Sequence, residues 1–327
     1  MKTDFINACL RKKPKRVPVF FLRQAGRYIP EYLKIRTEYS MEEIIKNPLL
    51  SAKVVLLPFK YFDLDSAIIF SDLLVILWGF GIDFELKEHG PKVKGKYVEK
   101  FSIKPFDFLK EQIKILKKEI DVPLIGFTAA PFTLLSYIIE GEYKRDFPET
   151  RKFIYRNEEE WIKLIEKVSE GIKEFLMLQA DSGCDAVMLF DSWAGALQGE
   201  LYSKLIFPYT QKIFESLKGK IRIYFSISTT HLITIINGYS CEVIGIDWRI
   251  PLHFAIEYLG KEHAIQGNLD PAVLFSNFER IKKELEKIKE IRKNFNGFIF
   301  SLGHGVLPET PVENLKKVVD EVHKWEI

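Results

Sequence analysis

Short apolar runs alternate with longer amphipathic stretches along the whole chain. Eight of the short runs read as strands: 17–22, 67–70, 123–127, 186–190, 221–225, 243–246, 263–266 and 298–301. Most are nearly continuous in apolar residues rather than alternating, which suits parallel strands covered on both faces. Apolar residues recur at helical spacing over 108–118, 158–180, 201–217, 278–293 and 312–324. The last of these opens on Pro308-Glu309-Thr310-Pro311. That order predicts Thr310 as the N-cap and Pro311 as the first helical residue.

Eight strand-then-helix units predict an α/β protein with a (β/α)8 barrel (TIM barrel) in a single domain over 1–327. A doubly wound open sheet is the competing architecture. No GxGxxG follows any apolar run, however, and the spacing continues without a break in composition. The stretch 79–104 interrupts the alternation with Gly and Pro punctuation and a run at 82–86 that reads as part of a short hairpin. It is an insertion, either a lid over the barrel mouth or a surface decoration.

Composition narrows the function classes. Lys plus Arg number 48 against 45 Asp plus Glu, an excess too small for a nucleic-acid-binding surface, so any anion site must be local. The basic run from Arg11 to Arg16, broken by Pro14, reads as a solvated leading segment. Cys9, Cys184 and Cys241 are too few and too scattered for a disulfide framework and read as structural thiols, which suits a reducing cytoplasm. No run of about 18 apolar residues occurs, and the N-terminus has no long apolar segment of a secretory signal. A cytoplasmic protein without a membrane partner is expected.

In a barrel the chemistry sits just past the C-terminal ends of the strands. The first strand is followed by Arg23-Gln24-Ala25-Gly26-Arg27-Tyr28, the second by Ser71 and Asp72. The third gives an apolar lip at Phe127, with Tyr137 farther on, and the fourth, which ends at Phe190, gives Asp191 and Ser192. Ser226, Ser228 and Thr229, then Asp247, then Gln266 with Asn268, and last His304 between two glycines complete the circuit. Two guanidiniums four residues apart around Ala25-Gly26 suit a carboxylate or phosphate, because Arg binds planar anions in a bidentate manner. Structural salt bridges would explain them equally well, and Arg36 adds a third cation. Asp72 lies amid apolar residues and needs donors, whether an Arg, a metal or substrate N–H groups. The other histidines, His89, His231, His253, His263 and His323, read as surface or packing residues. No GxSxG, HExxH or P-loop occurs.

Two long segments resemble signatures of the uroporphyrinogen decarboxylase family: 18–28, PVFFLRQAGRY, and 126–141, GFTAAPFTLLSYIIEG. Shorter ones, IIFSDLL, FDSWAG, GIDW, QGNLDP and SLGHG, follow in the family's order and span nearly the whole chain. Phe132 stands where the family usually has Trp, and Ser301 where Asn is common. The resemblance implies a (β/α)8 barrel, usually a homodimer, that converts the four acetate side chains of uroporphyrinogen III to methyls, giving coproporphyrinogen III and four CO2 without metal or organic cofactor. It places substrate contacts at Arg23, Gln24, Ala25, Gly26, Arg27, Asp72, Tyr137, Ser192 and His304. Phe127 and Phe190 shape the pocket, and Arg36 matches another arginine that the family's mechanism invokes. On this reading Asp72 binds the pyrrole N–H groups, and Arg23 or Arg36 supplies or relays the proton, with Tyr137 or a water as the other candidates. Two rivals stand beside it. One is a zinc-dependent corrinoid or thiol methyltransferase, whose His-x-Cys pair is absent from His231-Leu232-Ile233; the other is a non-catalytic tetrapyrrole-binding protein.

Overall fold

The computed structural model describes residues 3–87 and 90–327, so His89 lies outside the described residues. Its nine strands in chain order are β1 Ala67–Ile68, β2 Phe84–Lys87, β3 Gly90–Val93, β4 Leu124–Ala129, β5 Ala186–Asp191, β6 Ile221–Ser226, β7 Val243–Gly245, β8 Ala264–Leu269 and β9 Phe298–Leu302. Seven of them pair in parallel in the order β1-β4-β5-β6-β7-β8-β9, each after a helical connection. All six residues of β4 are buried, as its unbroken apolar sequence requires of a strand covered on both faces.

The eighth stave differs from its expected form. The run 17–22 is not a full strand but a single parallel bridge, Val19 to Phe300. Around that bridge Phe20 N–H donates to Phe300 C=O at 3.0 Å, and Phe300 N–H donates to Pro18 C=O at 2.9 Å. On the other side Asp65 N–H donates to Val19 C=O at 3.1 Å, just ahead of β1. The segment thus joins the last strand to the first and closes the sheet into a barrel. Pro18 has no N–H to give to a ladder, which limits the pairing here.

Asp65 locks this seam. It is fully buried and accepts from Arg16 Nη2 (2.6 Å) and Nε (3.1 Å), from Val19 N–H (2.8 Å) and from His323 Nε2 (2.8 Å). Arg16 is therefore not solvated as the basic run suggested; only its neighbours are.

The helices pack by their apolar stripes. Asp107–Glu119 buries Leu109, Gln112, Ile113 and Leu116, spaced as one helical face, and Val312–Val322 buries Leu315, Val318, Val319 and Val322. Two helix expectations shift. Residues 201–217 form two helices, Gly199–Leu205 and Phe207–Ser216, because Pro208 starts a new first turn. The last helix begins at Val312 with Pro311, not Thr310, in the N-cap position. The insertion contains the antiparallel hairpin β2–β3. Val93 N–H reaches Gly141 C=O at 2.6 Å, which docks the hairpin on the end of the helix Pro131–Glu140. Cys9, Cys184 and Cys241 are buried free thiols. His231 and His263 bond to backbone carbonyls, and His253 is exposed. No helix among the described residues is long and apolar enough to cross a membrane.

Candidate active site

A cavity of about 850 Å3 opens at the C-terminal ends of the strands. Its aromatic wall follows from strand register. Phe127, Phe190 and Phe225 line it from β4, β5 and β6: Phe190 pairs with Phe225 across the ladder, and Phe127 lies two residues before Ala129, the partner of Phe190, on the same face of β4. The rings meet edge to face, 5.5 Å between Phe127 and Phe190 and 5.7 Å between Phe190 and Phe225. Phe225 was not among the expected pocket residues. The signal was there, since three successive apolar runs each end in Phe.

The opposite side is cationic. Arg23, Arg27 and Arg36 all line the cavity, and among the described residues none of the three pairs with a carboxylate. The alternative of structural salt bridges for the Arg pair is thereby set aside. Arg23 holds a left-handed backbone conformation, φ 57°, unfavourable for a side-chain-bearing residue. Its side chain crosses Gly305: a Cβ there would stand 2.5 Å from Arg23 Cδ. Gly303 serves a second close approach, because a Cβ would meet the Trp248 backbone nitrogen at 2.3 Å. The two glycines around His304 therefore let one loop pass under Arg23 and another abut Trp248. Gln24 lines the same cavity, but its amide donates to Ser66 C=O at 2.8 Å and fixes the loop to the barrel wall. Ala25 and Gly26 contribute backbone and little else.

Asp72 lies on the cavity wall and accepts Leu74 N–H at 2.9 Å. Burial raises its pKa above the ordinary carboxylate range; the Leu74 N–H and the charge of Arg23 oppose that shift without cancelling it. Ser192 and His304 complete the expected set at the cavity. The ring of His304 packs edge-on against Trp248 at 6.0 Å, and burial first, then the charge of Arg23, lowers its pKa. A neutral imidazole follows at pH 7, so His304 meets an anion as a hydrogen-bond donor rather than as a cation. Tyr137 stands just behind the lining, packed edge-on on Trp193 and Phe147. Burial, then the charge of Asp72, pushes its phenol up to about 12.

Several polar residues at strand ends serve the fold instead. Asp191 accepts from Thr133 Oγ1 (3.0 Å), Tyr202 OH (3.1 Å) and Tyr224 OH (3.1 Å) in the helical layer. Thr133 Oγ1 also accepts Trp193 N–H at 3.2 Å, so this network fixes the loop that carries Ser192. Asp247 is buried and takes Ser228 N–H, Arg249 N–H and the Arg249 guanidinium. Asn268 donates to the carbonyls of Asp247 and Ile250, and Ser226 bonds to Thr229. Among the described residues no group of three or more His, Cys, Asp or Glu side chains is placed to share a metal ion.

The sequence matches the family model described as "Uroporphyrinogen decarboxylase (URO-D)" over residues 1–325. The chain belongs to the uroporphyrinogen decarboxylase family. A uroporphyrinogen decarboxylase of Thermus thermophilus is 40% identical over 98% of each chain. Another from Streptomyces avermitilis is 38% identical over 98% of this chain and 94% of that one. Among solved structures, a methyltransferase from Methanosarcina mazei superposes with a TM-score of 0.84 at 18% identity, over 98% of this chain and 97% of that one. A B12-independent methionine synthase from Shewanella gives 0.62 at 13%, over 88% of this chain and 91% of that one. Both likenesses are of fold. The uroporphyrinogen decarboxylase family thus uses a barrel that it shares with methyltransferases, and the zinc-methyltransferase alternative is not favoured by relatives at this identity.

Proposed function

We propose that the chain is a carboxy-lyase that converts the four acetate side chains of uroporphyrinogen III to methyls, giving coproporphyrinogen III and four CO2 in tetrapyrrole (haem) biosynthesis. One observation carries the reading. A cavity in a chain of this family sets a carboxylate beside three arginines, and among the described residues that carboxylate has a single hydrogen-bond donor and the arginines have no carboxylate partner.

The substrate carries eight carboxylates and four pyrrole N–H groups. Arg23, Arg27 and Arg36 grip carboxylates in bidentate fashion, with His304 and Ser192 adding neutral donors. Asp72 faces the N–H groups, which donate to the carboxylate lone pairs that Leu74 leaves free. In each cycle a proton adds to the pyrrole α-carbon. The C–C bond to the carboxylate then breaks, its electron pair enters the cationic ring, and CO2 leaves. A second proton at the new exocyclic carbon and loss of the first from the ring give the methyl. The fixed charge of Asp72 stabilises the ring cation in a site that needs no reorganisation at that moment. A cation at the same place would repel it, which is why the chemistry runs without a metal or organic cofactor.

Arg23 or Arg36 relays the proton from a water, because a guanidinium, with a pKa above about 12, is too weak an acid to supply it alone. Tyr137, its acidity weakened by burial and by Asp72, keeps its proton and orients the acetate. We place the enzyme in the cytoplasm as a homodimer, without nucleic-acid or membrane partners; light scattering on the purified chain tests the dimer. The activity is tested by anaerobic incubation with enzymatically made uroporphyrinogen III, followed by oxidation and chromatography of the porphyrins. Species with seven, six, five and four carboxylates are expected. Binding without their appearance would overturn the reading in favour of a carrier protein.

A further inference from the structure

The cationic side of the cavity contains a residue that neither sequence motif marks. Tyr32 lies on the helix Pro30–Glu38, lines the cavity and is only 4% exposed. Its ring stands edge-on to Phe70, 6.0 Å between centroids, so the phenol is held in place by packing. Arg36 follows four residues later on the same helix face, and Arg27 precedes the helix.

The hydroxyl is poorly used as the protein stands. Its hydrogen-bond partner among the described residues is Met41 Sδ at 4.0 Å. A thioether is a weak acceptor. The two neighbouring guanidiniums cannot accept a proton at all, because every polar atom on them is a donor. The phenol also stays protonated at neutral pH, since burial raises its pKa and the charges of Arg36 and Arg27 offset only part of that. Tyr32 is therefore a donor parked on sulfur beside two cations that attract carboxylates. An arriving carboxylate held by those arginines supplies the acceptor that the wall lacks.

We propose that Tyr32 is a specificity-determining residue whose hydroxyl leaves Met41 and donates to a substrate carboxylate gripped by Arg27 and Arg36. The inference rests on the proposed function and adds to it: the carboxylate cradle has a third, neutral donor on the helix Pro30–Glu38. A phenylalanine in its place would pack against Phe70 equally well and lack the contact.

The experiment is steady-state decarboxylation of uroporphyrinogen III by the parent chain, Tyr32→Phe and Met41→Leu. Loss of one hydrogen bond to a charged acceptor predicts that Tyr32→Phe raises KM about tenfold at unchanged kcat, because the contact is equal in ground and transition states. Met41→Leu, which removes the competing sulfur, keeps or lowers KM. A KM for Tyr32→Phe within twofold of the parent overturns the assignment. So does a fall in kcat at unchanged KM, which would put the hydroxyl in the chemistry. A rise in KM for Met41→Leu matching that of Tyr32→Phe would reduce Tyr32 to a packing role and also overturn it. If the parent itself releases no CO2, the proposed function fails first, and the two failures are told apart by that control.

Discussion

The fully buried aspartates Asp65 and Asp191 and the half-buried Asp72 are treated in opposite ways. Asp65 at the seam takes a doubly bonded guanidinium, a backbone N–H and an imidazole. Asp191 at the end of β5 takes three hydroxyls. Asp72, just past β1, takes one backbone N–H and faces the cavity. A carboxylate whose lone pairs are filled by the protein is a fastener. One kept from water yet left short of donors costs stability in the empty protein and is retained for what arrives from outside. The same comparison holds for the cations: Arg16 is held by Asp63 and Asp65, whereas among the described residues Arg23, Arg27 and Arg36 have no carboxylate partner.

That contrast can be broken experimentally. Asp65→Ala leaves Arg16 with Asp63 alone, takes the acceptor from the Val19 N–H and His323, and should cost about 3–5 kcal/mol in urea unfolding, with turnover per folded molecule preserved. A loss confined to activity would reverse the roles. Asp72→Ala should lower kcat by at least about 10²–10³, roughly 3–4 kcal/mol, with the melting temperature unchanged or raised. Near-parent turnover would sink its assignment. The pH dependence sharpens the comparison further. Burial pushes the Asp191 carboxyl up to about 6, so the folded state holds its proton more firmly than the unfolded state. Stability from this group is greatest below the unfolded value near 4 and falls as pH rises through about 6. Asp191→Asn, which cannot ionise, should therefore gain on the parent by up to about 3 kcal/mol between pH 4 and pH 7. Denaturant titrations at four pH values check this, and a constant difference contradicts it. The raised pKa of Asp72 acts on catalysis instead: kcat/KM should fall on acidification at a pH above the usual carboxylate value of about 4. Smallest of the set, Gly305→Ala displaces the Arg23 side chain and should lower kcat/KM about tenfold, roughly 1.4 kcal/mol, without changing the aromatic wall.

Much of the architecture was legible because parallel strands covered on both faces leave continuous apolar runs. The expected strand centres at 123–127, 186–190, 221–225 and 298–301 all lie within or beside observed strands. What escaped depended on facts that a linear pattern does not carry. Asp72 and Asp191 look alike in the sequence, each just past an apolar run, Asp72 two residues after Phe70 and Asp191 one after Phe190. They part only because side chains alternate along a strand: Phe190 points into the barrel, so Asp191 points to the helices. Phe225 was legible as the third apolar run to end in Phe, whereas Tyr32 sits on a helix, Pro30–Glu38, that the sequence pattern did not mark. The stave 17–22 was legible as apolar, but its single bridge depends on Pro18 and on partners almost a whole chain away.

The seam has a consequence for how the site comes into being during synthesis. The arginine loop leaves the ribosome long before Phe300, with which its stave pairs. Asp65 likewise waits for His323. The cationic grip therefore takes its working position only after translation has passed Phe300. Until then the nascent chain carries unpaired arginines with no cavity around them. A ribosome-bound fragment ending before residue 298 should accordingly contain most of the helices and show no affinity for the macrocycle, so that ligand binding itself reports synthesis of β9.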